Sequence, residues 1–183
     1  MNIKTLKLIQ VIVCICLLMT GLIISCEEMS MANPNTIVGP IYRLDPPFES
    51  GTTAPAGWTV MFSDGQSVRL DPDNPQSISY GELLDGMRQA GIPAYVEFDP
   101  ETRAITRILV PLVVTVSNIV RTESGQFLID LEISSARHTL SPTNPNFDRL
   151  LTALEAAWQN QTQVFVTETD NHEIIDVRPT GLP

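Results

Sequence analysis

The chain of 183 residues has only three cysteines, Cys14, Cys16 and Cys26. Whatever folds beyond Cys26 is held without disulfides or thiol chemistry, although an exported protein is free to use both. Lysine is as confined as cysteine, since Lys4 and Lys7 are the only two and every later basic residue is arginine. Those 9 arginines face all 21 acidic residues, which leaves the part beyond residue 25 with about 12 net negative charges. A field of that sign repels phosphate backbones, so nucleic acid is not an expected partner. Histidine occurs twice, as His138 and His172, so proton-transfer chemistry centred on imidazole has two starting points. The chain also lacks a Gly-x-Ser-x-Gly elbow and a His-Glu-x-x-His pair. Paired acids such as Asp99 with Glu101 and Asp130 with Glu132 fall in a turn or on a solvated strand face. Glycosidase chemistry instead needs two carboxyls held across a cleft. The sequence therefore assigns no catalytic residue, no metal ligand and no cofactor, and the expected activity is non-enzymatic.

What the chain does carry begins at its N-terminus. Lys4 and Lys7 precede an apolar run over residues 8–24, broken only by Gln10, Thr20 and Gly21, and the run ends in Leu22-Ile23-Ile24-Ser25-Cys26. Aliphatic residues, a small residue and then cysteine, in that order, resemble the lipobox of bacterial lipoproteins. The resemblance covers residues 1–26 alone. It implies that residues 1–25 are a signal peptide and that Cys26 becomes an acylated N-terminus, with a diacylglyceryl thioether and an amide-linked third chain, palmitate being among the expected acyl groups. Two or more acyl chains hold a protein on a bilayer almost permanently, at about 0.8 kcal/mol per buried methylene. The expected location is then the cell envelope, with the outer membrane facing the periplasm ahead of the inner membrane. The expected partners are the membrane, through the chains on Cys26, and an envelope protein. Two other readings compete: the apolar run is at the lower edge of the roughly 17–25 residues that span a hydrocarbon core, and ordinary signal cleavage would release the protein.

Residues 26–57 contain Pro34, Pro40, Pro46, Pro47 and Pro55 and read as an extended tether. At about 3.1 Å per residue its reach is on the order of 90 Å. Ile37 to Leu44 is apolar enough to dock as an edge strand. From Trp58 the chain reads as two copies of one unit, 58–111 and 112–183. Leu70-Asp71-Pro72-Asp73-Asn74-Pro75 returns seventy positions later as Leu140-Ser141-Pro142-Thr143-Asn144-Pro145, and the same register gives 7 identities in 30 positions through residue 99. The expected fold class is α+β, with each copy a β-hairpin, a helix and a second hairpin, and one helix covering each antiparallel sheet. In the first copy, strands 59–63 and 66–70 flank Asp64-Gly65, Ser79 and Glu82 form a capping box, and Gly91 with Pro93 ends the helix. In the second, strands 112–121 and 126–134 precede a helix over 146–159. Its buried stripe would be Phe147, Leu150, Leu151, Leu154 and Trp158.

Asp71, Asp73 and Glu82 sit at calcium-loop spacing, but Pro75 and Gln76 occupy places where such a loop needs a ligand and a glycine. A helix-leading turn explains them better. Trp58, Tyr80 and Tyr95 are the candidate residues of a groove between the copies for a small ligand or carbohydrate. His138 reads as a loop histidine before the second helix and His172 as a hairpin-turn histidine, and a hydrolase centred on His138 is the third alternative. The leading reading is a lipid-anchored binding or scaffolding module.

Overall fold

The computed structural model describes residues 35–49 and 57–181. The expected signal peptide, Cys26 and residues 27–34 and 50–56 of the expected tether lie outside the described residues. The fold is α+β, mostly antiparallel, with two helices among the described residues.

In the N-terminal half, β1 (Thr36–Gly39) and β2 (Ile41–Asp45) flank Pro40, and β3 (Trp58–Phe62), β4 (Ser67–Leu70), α1 (Ser77–Ala90), β5 (Ala94–Phe98) and β6 (Ile105–Leu109) follow. The sheets run β2-β3-β4 and β1-β5-β6. A parallel bridge between Arg69 and Ala104 links β4 to β6, so the strands wrap around one core of Ile37, Leu44, Val60, Val68, Leu84 and Val96. The stretch expected as a tether is thus folded from Thr36 to Asp45. Alternation in β1 places Ile37 inside, a register shift between Ile41 and Arg43 lets β2 bury both Ile41 and Leu44, and the hydrophobic effect outweighs the prolines, which sit beside the strands and not within them.

The C-terminal half contains β7 (Leu112–Arg121), β8 (Phe127–Leu131), β9 (His138–Leu140), α2 (Phe147–Asn160), β10 (Gln163–Glu168) and β11 (Ile174–Pro179). Its sheet order is β11-β10-β7-β8-β9, and a parallel bridge from Thr139 to Glu173 joins the two edges. That bridge brings the edge strands β9 and β11 of the sheet together at one point. A second core forms around Val116, Ile129, Leu140, Leu150, Leu154 and Val166. Arg107 of β6 reaches Asp170 of the β10–β11 turn at 2.9 Å, tying one half to the other.

Both helices follow the same kind of turn. The Asn74 side chain accepts from the Gln76 amide at 2.9 Å and the Asn144 side chain from the Asn146 amide at 2.8 Å. These Asx turns set the chain direction before the first helical residue. They replace the expected capping box, because α1 starts at Ser77 and Ser79 is already inside it. Trp158 also departs from expectation. It is 36% exposed, and its indole N–H donates to the Ser117 carbonyl at 3.0 Å. The β7–β8 register shifts between Val116 and Asn118, and a bulge there frees the carbonyl that the indole takes up.

Candidate metal centre

His138 opens β9, and its side chain is 1% exposed. It is a strand residue pointing inward, not the surface-loop histidine expected from its neighbours. The edge-closing bridge at Thr139 brings it against the β10–β11 turn, where the Thr139 amide donates to the His172 carbonyl at 2.8 Å. His172 stands in that turn at φ 59, and its side chain is 48% exposed. Between the rings lies Glu168, the last residue of β10, at a register irregularity between Thr167 and Glu168. Bulges of this kind redirect a side chain that regular pleating would send elsewhere.

One carboxylate serves both imidazoles. Glu168 Oε2 contacts His138 Nδ1 and Oε1 lies 3.0 Å from His172 Nδ1. The rings are 5.4 Å apart, centre to centre, at 78°. One ligand atom from each of the three residues falls within 4.8 Å of the other two. Two imidazoles and a carboxylate are a donor set used for zinc and for non-haem iron, with three protein ligands and positions left for water or substrate. His138 Nε2 is buried without a hydrogen-bond partner. It is the ring nitrogen other than the one that meets Glu168.

The residues singled out in the sequence do not converge. Trp58 is core, tilted against Phe48 at 5.2 Å. Tyr80 lies on α1, its hydroxyl 3.1 Å from Gln76 Oε1, and half-buried Tyr95 lies on β5 with its pKa raised by burial. None of the three lines either of two surface clefts, one of about 280 Å³ beside Arg43, Phe48 and Arg88 and one of about 390 Å³ beside Ala156, Asn160 and Arg178. Asp71 is used in turn formation, accepting from the Asp73 amide at 3.1 Å and from Arg69 at 2.9 Å. A second buried polar group, Asp176, accepts from Arg149 at 3.0 Å and Arg178 at 2.8 Å and pins α2 to β11.

Sequence inspection passed over the histidine cluster because its members are 30 and 4 positions apart. The usable signal was Glu168-x-x-x-His172 beside a turn, which puts a carboxylate and an imidazole at the same strand end. No family model, curated protein or solved structure matches the chain. No helix among the described residues is long and apolar enough to cross a membrane.

Proposed function

We propose that the protein is a bacterial envelope lipoprotein, held to the membrane through acyl chains on Cys26, that presents two tandem β-barrels as a binding module. The observation that carries the binding part is the matched connectivity of the halves. In the first, β3 pairs with β2 and β4, β5 pairs with β1 and β6, and Arg69 bridges to Ala104. In the second, β8 pairs with β7 and β9, β10 with β7 and β11, and Thr139 bridges to Glu173. With β1 and β2 taken as one bent strand, each half is strand, strand, strand, helix, strand, strand, with the edges meeting in parallel.

This is the connectivity of the five-stranded barrel known as the OB-fold, a frequent carrier of oligonucleotide and oligosaccharide sites. It also favours duplication, with the unit redrawn: the first copy begins at Thr36, and the β3–β4 hairpin corresponds to β8–β9, not to β7–β8. Fold alone does not choose the ligand. The acidic body disfavours phosphate chains, so a protein partner or an uncharged polymer suits it better. The test is metabolic labelling with a palmitate analogue, comparing wild type with Cys26→Ser. Label on the wild type alone supports the anchor, and label retained by the serine variant removes it. Deleting residues 36–181 should abolish co-purification of an envelope partner while leaving the label in place.

A further inference from the structure

We infer that His138, Glu168 and His172 bind one divalent transition-metal ion of the zinc class. Calcium and magnesium seek all-oxygen shells, whereas two imidazoles with one carboxylate suit zinc, copper, nickel or ferrous iron. The buried ring supplies a ligand fixed by its strand, and the half-exposed His172 leaves one side of the site open to solvent. An ion held there has coordination positions free for water or for a group on a partner.

The other explanation is a purely structural His-Glu-His network, and the N-terminal half argues against it. The place of His172 is taken there by Arg103, because the Arg69 amide donates to the Arg103 carbonyl at 2.9 Å as the Thr139 amide does to that of His172 at 2.8 Å. Arg103 and His172 share φ 59. The repeat register proposed above puts Val68 where His138 stands and Phe98 where Glu168 stands. Arg103 lies over the Phe98 ring at 4.2 Å, and Val68 is core. The same backbone corner therefore closes on an apolar side chain and a cation–π contact. Burying a carboxylate and an imidazole in its place adds desolvation that apolar packing avoids. The donor set is consequently better explained by what it binds than by what it stabilises.

The test uses the full-length chain in detergent, stripped with a chelator and titrated with Zn2+ against a chromophoric competitor, with Mg2+ as control. The expected result is one Zn2+ per chain. His172→Ala, at an exposed side chain, and Glu168→Gln should each weaken binding by more than about tenfold, the loss expected even for outer-shell partners. His138→Val should abolish it while leaving the metal-free chain at least as resistant to urea. Zn2+ should raise the unfolding midpoint read from Trp158 in the wild type and not in His138→Val. Wild-type affinity no tighter than that of His172→Ala would overturn the assignment, as would a Zn2+-induced rise in unfolding midpoint that persists in His138→Val. A His138→Val chain that is destabilised without metal, alongside a wild type that takes up no Zn2+, would establish the structural network instead. None of these readouts depends on Cys26, so the metal and the anchor fail separately.

Discussion

Under the duplication proposed above, the N-terminal and C-terminal halves carry different side chains at four matched places, and each difference shows how much latitude a shared plan would allow. At the edge-closing corner, Val68, Phe98 and Arg103 face His138, Glu168 and His172. On the helix, Gly81 leaves space that Phe48 fills from outside, whereas Leu151 at the matching position packs on the second core. Gly91 ends α1 and Gln161 ends α2, both left-handed at φ 67 and 52. Asp99 leads the β5–β6 turn and Thr169 the β10–β11 turn. Packing solutions are interchangeable within one fold as long as volume and pattern are kept. The corner is the place where the exchange is not of like for like.

The comparison breaks most severely if the halves are not independent folding units. Leu84 and Leu154 are fully buried in separate cores, and each Leu→Ala change should remove about 2–5 kcal/mol from its own half. With one tryptophan per half, urea unfolding of Trp158→Phe and Trp58→Phe backgrounds reads each half alone. Leu84→Ala should lower the midpoint seen by Trp58 only, and a coincident fall in both signals would mean one cooperative unit.

A smaller effect is expected at the helix face. A Cβ at Gly81 would lie 2.3 Å from the Phe48 ring, so Gly81→Ala should destabilise the first half by about 1–3 kcal/mol through overpacking. Calorimetry of Gly81→Ala with Phe48→Ala sharpens the point, because removing the ring should cancel most of the loss from the alanine.

Exchange of the helix ends should act in opposite directions. Gln161→Gly relieves a left-handed conformation that costs a side chain about 1 kcal/mol, and Gly91→Gln imposes it. Urea midpoints of the two variants should therefore move apart, up for the second half and down for the first.

The smallest expected effect is the acid response of the β5–β6 turn. Hydrogen bonds from the Thr102 amide and hydroxyl hold the Asp99 carboxyl below the usual carboxylate range. A depressed folded-state pKa means stability present above the unfolded value and lost as the pH falls through the folded one. Asp99→Asn should lower the first half's urea midpoint near neutrality, and the difference from wild type should shrink in acid. A constant difference at every pH would assign the effect to geometry alone.

Much of the architecture was legible because it is local. The 14-residue α2 follows from its apolar spacing, the hairpin turn from Asp64-Gly65, and the halt of α1 from Gly91. Thr36 to Asp45 was harder to read because prolines on both sides suggested a tether, and only pairing with β3 and β5 makes those residues strands. The three-residue β9 is too short to carry a period at all. With it went the placement of His138, and so the whole cluster.

Sequence order alone determined the α+β class, the positions of both helices and the acidic, thiol-free character of the body, since these depend on composition and on contacts between near neighbours. The bridging of distant strands in each half, the inward turn of His138 and its meeting with Glu168 and His172 were decided by tertiary structure. A parallel bridge between distant strands leaves no periodic mark in either strand, and its ligands come together only after loops of many residues have closed.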